Sequence, residues 1–470
     1  MTFSEISVIL FMAMLIYQLA SYSPKKPVCL TRFFVFAGGM IMINLLNHPN
    51  RWQLSGVYLL FLVLLLYFIL QKRRRKLTRL PKFLIIISII TLILSGIIAW
   101  ATPNFSLPKA QGPYSIGSQT FQLVNSKQYE LLTKDPDDKR AMTIQVWYPS
   151  DQIGQEPDRK PYIENGQTLL PALSQQMGLP EFTLNYLKDV QSNAYSNLPL
   201  TESIQEFPVL IFLSGNLGFK AVNSLQMEFL AANGFIVIGI DQAGIAPGVE
   251  TPKGEIIPSL GRDLLHRNSQ QSVQGQAQDL LLDTQIEYPG GLVQYFAQDV
   301  SFLIDYLESV QSGEIKSVFN HRLNFDRISL AGVSLGGINT AQACALDPRI
   351  TNCIIMDAPI PAQVAQTGLA QNLLILTRSE STMKEEQKSN GSFQDVYIQQ
   401  TLDSQASLFQ NSQGHKEYVE IEGSFHLNFT DAWLWSPLIQ LSPLTGPIDN
   451  QAATDQINQA ILNFLSQDFN

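Results

Sequence analysis

RISLAGVSLGG, residues 327–337, is the stretch that decides the fold. The apolar run Ile328–Ala331 leads into Gly332-Val333-Ser334-Leu335-Gly336-Gly337, and a small-residue helical pattern, INTAQACAL, follows from residue 338. A G-x-S-x-G sequence between a strand and a helix marks a turn so tight that the residues two before and two after the serine must lack clashing side chains. Gly332 and Gly336 meet that demand, and Gly337 lets the helix close on the sheet. The Ser334 hydroxyl is then presented beside a helix N-terminus as a candidate nucleophile. An ordinary glycine-rich strand–helix turn is the competing reading.

A serine hydroxyl needs a base to take its proton, and this strand–turn–helix arrangement orders its residues as serine, acid, histidine. Only two of the five histidines, His415 and His426, follow Ser334. His415 lies in the polar stretch NSQGHKEY and reads as solvated, whereas His426 follows the alternating strand YVEIE, where the base belongs. For the acid, Asp347, Asp357, Asp395, Asp403 and Glu380 compete. Asp347 suits a turn (LDPR), and Asp395 and Asp403 fall in a polar insertion. Asp357 and Glu380 each follow an apolar strand, and pattern alone favours neither. An oxyanion hole needs two backbone N–H groups, which points to Leu335 and to Asn216 in the loop after the strand VLIFL.

Around this motif short apolar strands alternate with helical stretches: Thr143–Tyr148, Val209–Leu213, Phe235–Ile240, Cys353–Met356 and Leu373–Thr377 with Leu225–Ala232, Phe296–Val310 and Gly336–Leu346. That alternation predicts an α/β fold, a mostly parallel sheet with helices on both faces, over residues 113–470. Polar insertions at Asp151–Ser203, Gln242–Tyr295 and Ser379–His415 are either solvated loops or a cap over a pocket.

The first hundred residues are of another kind. Of 31 Lys+Arg and 40 Asp+Glu, residues 1–102 hold 11 bases and one acid, Glu5, leaving 20 bases against 39 acids for the rest. Such an acidic surface repels phosphate backbones, so no nucleic-acid partner is expected. Four apolar runs, Ile6–Leu19, Phe33–Leu46, Leu54–Leu70 and Phe83–Trp100, predict an all-α membrane domain over 1–102. A bilayer core requires roughly 20 helical residues. Lys25, Lys26 and Arg32 lie between the first two runs, and Lys72, Arg73, Arg74, Arg75, Lys76, Arg79 and Lys82 between the last two. Only Arg51 lies between the second and third. Basic short loops stay in the cytoplasm, so the N-terminus and everything after Trp100 are expected outside. Pro103 and Pro108 make residues 103–112 a short tether. Cys344 and Cys353 read as two thiols, and the cysteines and histidines form no metal-ligand spacing.

Several segments together resemble the platelet-activating-factor acetylhydrolase family: GPYSIG (112–117), DPDDKRAMTIQVWYPS (135–150), PVLIFLSGNLG (208–218), GFIVIGID (234–241), GVSLGG (332–337), MDAPI (356–360) and GSFHLNFTDAWLW (423–435). The resemblance implies an α/β-hydrolase that removes short acyl groups from phospholipid esters, without cofactor or metal. It selects Asp357 as the acid, since the family acid closes the strand after the nucleophile's helix. Departures are Ser214-Gly215 in place of an S-H-G sequence, and Val333 and Leu335 in place of His and Phe beside the serine. A general carboxylesterase or polyester hydrolase is the alternative enzyme, and a non-catalytic membrane sensor or scaffold the alternative of another class. Oligomeric state is not legible in the sequence.

Overall fold

A computed structural model describes the chain except for residues 1, 24–28, 50, 75–77, 277–279, 282–286, 289 and 468–470. Lys25, Lys26, Arg75 and Lys76, invoked above for orientation, lie outside the described residues.

Four helices, α1 (Phe3–Ser21), α2 (Leu30–Asn47), α3 (Ser55–Arg73) and α4 (Lys82–Ala101), form an N-terminal bundle, and all four are long and apolar enough to cross a membrane. Their ends are organised by the few polar residues present. Glu5, the sole acid, and Arg51, the sole base of its loop, meet in a buried ion pair at 2.5 Å, and Arg51 also donates to the carbonyl of Thr102. At the opposite end the Leu80 N–H donates to Leu19 O and Arg79 Nε to Tyr22 O. The basic residues Lys72, Arg73 and Arg79 thus gather at one end of the bundle, and the start of the α/β part at the other.

The α/β part is built on a ten-stranded sheet. Its strands are β1 (Ser115–Tyr129), β2 (Lys139–Ser150), β3 (Arg159–Pro161), β4 (Gln191–Tyr195), β5 (Phe207–Leu213) and β6 (Ile236–Gln242). After two small hairpins, β7 (Gly248–Glu250) with β8 (Ile256–Pro258) and β9 (Leu280–Leu281) with β10 (Glu287–Tyr288), follow β11 (Leu323–Val333), β12 (Asn352–Met356), β13 (Asn372–Thr377) and β14 (Lys416–Glu420). The order is β14-β13-β12-β11-β5-β6-β2-β1-β4-β3, parallel from β14 through β6, with β2 antiparallel to both β6 and β1. The expected mostly parallel sheet is therefore present, with β1, paired antiparallel to β2 on one flank, as an addition.

Strand periodicity splits the core into two layers. Val209, Ile211 and Leu213 face one side, Leu210 and Phe212 the other, and Leu373 and Ile375 alternate likewise with Leu374 and Leu376. The first layer is covered by α8 (Gly291–Ser312) and α9 (Leu335–Leu346), and the second by α6 (Ser224–Ala232) and α14 (Asn450–Leu465). Each fully buried Leu or Ile contributes about 1.5–3 kcal/mol. The polar insertions are not simple loops. The first carries α5 (Gly166–Gln176), the second α7 (Arg262–Val273), and the third α11 (Glu380–Asn390) and α12 (Asp395–Asn411). Short helices α10 (Ala362–Thr367) and α13 (Pro437–Leu441) complete the fold.

Two expectations are corrected. Residues 103–112 do not hang free. Ser106 bridges to Gln191, the Leu107 N–H donates to Gln191 O, and Asn193 Nδ2 donates to Pro108 O at 2.7 Å. Proline removes donors but leaves carbonyls, and Pro108 O here accepts from a side chain of β4. Cys344 and Cys353 are joined in a disulfide, their Cα atoms 6.5 Å apart. The turn at Asp347–Arg349, closed by the Asp347 carboxylate accepting from the Arg349 N–H, folds the end of α9 back onto β12. Sequence spacing alone carried no such geometry.

Candidate active site

The site stands where β11 ends at the centre of the parallel strands, the position at which open α/β sheets expose their strand-end loops. Ser334 sits in the left-handed region at φ 57°, ψ −122°, between β11 and α9. A Cβ on Gly332 would lie 2.3 Å from Gly336 O, and one on Gly336 only 2.1 Å from Leu213 O. Gly337 approaches Ala358 Cβ at 2.6 Å on the same terms. The three glycines are thus required by close backbone approach, and the strained serine is held by its N–H donating to Met356 O at 2.9 Å.

His426 arrives from the loop after β14 and opens a short 3₁₀ turn, His426–Phe429. Its Nε2 lies 3.1 Å from Ser334 Oγ, and its Nδ1 lies 2.5 Å from Asp357 Oδ2. A carboxylate only accepts, so Nδ1 carries the proton and Nε2 offers its lone pair to the serine hydroxyl. Asp357 follows β12 at φ 44°, and its side chain is fully buried. Burial pushes its carboxyl up, but the Arg378 guanidinium and then His426 more than offset this and hold it at about 2. Asp357 is therefore ionised at neutral pH.

The remaining candidates for the acid go elsewhere. Glu380 starts α11, is half exposed and pairs with Lys384. Asp347 binds Arg349 in its turn, and Asp403 accepts from Gln399 on α12. Asp395 lies in the first turn of α12, and His415 is exposed beside Glu417 at 3.1 Å.

Two backbone segments flank the serine. Leu335 is the first residue of α9, where helical N–H groups lack an intrahelical acceptor. Across from it, Ser214–Gly218 closes a turn through Gly218 N–H to Gly215 O, with Leu217 at φ 60°. Gly215 comes so close that a Cβ there would be 3.1 Å from Ser334 Cβ. Among the described residues, neither the Asn216 nor the Leu217 N–H has a hydrogen-bond acceptor. Asn216, Leu217, Leu335, Ser334 and His426 all line one cavity of about 660 Å³.

Sequence reasoning missed the residues behind and above this relay. Arg378, just past β13, donates Nε to Asp357 Oδ1 at 2.8 Å and pairs with Glu386 of α11. Glu386 also accepts the His426 N–H at 3.2 Å. Phe393 places its ring edge-on to His426, with centroids 5.4 Å apart, and Tyr397 stacks on Phe393 at 5.1 Å. The available signal was Arg378 itself, a cation closing an apolar strand one place over from the acid. The second and third insertions supply α7 and α12 as cavity walls, so for these two the cap reading holds. No cluster of His, Cys, Asp and Glu able to hold a metal occurs among the described residues.

Comparison with known proteins agrees with this architecture. The family model described as platelet-activating factor acetylhydrolase, isoform II, matches residues 99–244 and 301–470. A platelet-activating factor acetylhydrolase of Cavia porcellus is 24% identical over 389 residues, covering 77% of this chain and 78% of its own. That of Canis lupus familiaris is 24% identical over 381 residues, covering 77% of each. Among solved structures, a ferulic acid esterase from Streptomyces cinnamoneus is similar with a TM-score of 0.56 at 18% identity, over 77% of this chain and 92% of that one. With the family matched over most of its length and the α/β-hydrolase sheet in place, the chain belongs to the platelet-activating factor acetylhydrolase isoform II family and is a serine ester hydrolase.

Proposed function

We propose that Ser334, His426 and Asp357 are the catalytic triad of a short-chain acyl ester hydrolase that works at a membrane surface. The observation that carries the reading is the continuous hydrogen-bonded path from Ser334 Oγ through both nitrogens of His426 to the buried Asp357 carboxylate. Ser334 Oγ attacks the ester carbonyl while His426 Nε2 takes its proton, and Asp357 stabilises the imidazolium that forms. Leu335 and Asn216 N–H groups face the developing oxyanion. The imidazolium then protonates the departing alcohol, leaving an acyl-Ser334 ester. Water, deprotonated by His426, releases the acid and restores the serine.

The substrate reading rests on the relatives' name: an acetyl or similarly short acyl ester, with phospholipid esters as the favoured class. Residues 1–102 serve as the membrane anchor, with the α/β part on the extracytoplasmic side. In support, Lys72, Arg73 and Arg79 collect at the end of the bundle remote from Thr102.

A fluorophosphonate probe should label the wild type and not Ser334→Ala, whose fold is unchanged because alanine fits the turn. Labelling of the alanine variant would remove Ser334 from the mechanism. A chain-length series of p-nitrophenyl esters, run beside short- and long-chain phospholipids, then separates a phospholipid hydrolase from a general carboxylesterase.

A further inference from the structure

The wall of the catalytic cavity opposite the triad has a chemistry of its own. On α7, Arg262, His266, Ser269 and Gln270 project into the cavity at helical spacing, and Gln394 and Gln400 face it from the start of α12. The part of the chain after residue 102 carries nearly twice as many acids as bases, yet no Asp or Glu occurs among the described residues lining this cavity. Asp263 follows Arg262 on the helix but does not line the cavity. Among the described residues Arg262 has no ion-pair partner, and it sits exposed at the cavity wall. Helix α7 lies between the two segments matched by the family model.

An unpaired guanidinium and an imidazole one helical turn apart, backed by neutral amides, offer a planar fork of donors and no repelling charge. We infer that Arg262 and His266 form an anion subsite, so that this enzyme prefers esters bearing a carboxylate or phosphate over otherwise identical neutral esters. The inference rests on the hydrolase reading above and adds its selectivity. Guanidinium pairs with either anion through two parallel N–H bonds.

The test uses the full chain in detergent and two matched pairs of soluble esters. p-Nitrophenyl butyrate is set against p-nitrophenyl hydrogen succinate, which places a carboxylate on the acyl side. The butyryl monoester of propanediol is set against its phosphate derivative, which places the anion on the alcohol side. The wild type should favour the anionic member of at least one pair in kcat/KM, and the pair that responds identifies the source. Arg262→Gln should lower that anionic-to-neutral ratio about tenfold, mainly through KM, which corresponds to about 1.4 kcal/mol. Arg262→Glu should lower it further, Arg262→Lys should retain part of it, and His266→Gln should act in the same direction. A wild type without preference in either pair, or ratios that Arg262→Gln and Arg262→Glu leave in place, overturns the subsite while the hydrolase stands. A wild type that turns over none of the four esters overturns both.

Discussion

Arg378 donates its Nε–H to Oδ1 of Asp357 at 2.8 Å, leaving Oδ2 of the same carboxylate to His426. The guanidinium also pairs with Glu386, so one buried cation compensates two buried carboxylates. The carboxylate proposed as the triad acid is thus held from behind by a residue that does not line the cavity.

Replacing Arg378 by Gln should therefore act twice. Two uncompensated carboxylates in the interior cost about 3–5 kcal/mol, seen as a lower thermal midpoint, and a second change of Glu386 to Gln should recover part of it. With the cation gone, burial dominates and the Asp357 carboxyl, now at about 2, moves up. The acid limb of kcat/KM should then shift to higher pH. The sign for stability is the usual one for a depressed carboxyl. The contribution is present above the ordinary value of 3.8 and is lost as the pH falls through about 2. An unchanged acid limb together with an unchanged midpoint would show that Arg378 is only a neighbour.

Asp357→Asn tests the acid directly. Asparagine keeps the size but can present its amide the wrong way round and loses the charge that offsets imidazolium. Removing the corresponding aspartate lowers kcat about 10⁴-fold in the serine-protease triad, and a fall of that order is expected here. Glu380→Gln should change kcat less than about twofold, because Glu380 pairs with Lys384 on an exposed helical face. Both are read in variants first shown to be folded; a dead Glu380 variant beside an active Asp357 variant would reverse the assignment.

These two acids show where the sequence is readable and where it is not. Ser334 is legible because the tight turn leaves no choice at Gly332 and Gly336, and His426 because chain order leaves few histidines. Asp357 and Glu380 both follow apolar strands, and only the resemblance separated them; what distinguishes them in space is that one side chain turns inward to meet Arg378. That cation was illegible because a base at a strand end looks the same whether solvated or buried against an acid across the sheet. The α7 wall was hidden in a run of Gln, Ser and Arg whose apolar stripe is too thin to announce a helix. β1 was missed for a related reason, since Ser115–Tyr129 carries many polar residues on its open face.

Orientation can be read from the cysteines. With Cys344 and Cys353 joined, Cys29 is the one free thiol, exposed next to the start of α2. Basic loops at that end of the bundle predict a cytoplasmic position. A membrane-impermeant maleimide should label Cys29 only after cells are permeabilised, while protease added to intact cells should cut the α/β part. Labelling of intact cells with protection of the α/β part would invert the topology.

The last prediction concerns Glu228, a carboxyl on α6 buried beneath the second core layer. Its oxygens accept from Asn193 N and Nδ2 at 3.1 and 2.8 Å, but burial outweighs these bonds and pushes the group from 4.5 up to about 7. Asp431, itself pushed up chiefly by burial, lies near enough to oppose a second negative charge. The sign is opposite to that of Asp357. A folded value above the unfolded one means that the native state holds this proton more tightly, so no penalty exists below about pH 4. Between the two values the penalty grows by about 1.4 kcal/mol per pH unit, and above about 7 it levels off at roughly 3 kcal/mol. Glu228→Gln removes the titration while keeping an oxygen that can accept from Asn193. Its thermal midpoint should match the wild type near pH 4.5 and exceed it at pH 8. A difference that is the same at both pH values would mean that Glu228 does not titrate in this range, and that its hydrogen bonds rather than its desolvation set its charge.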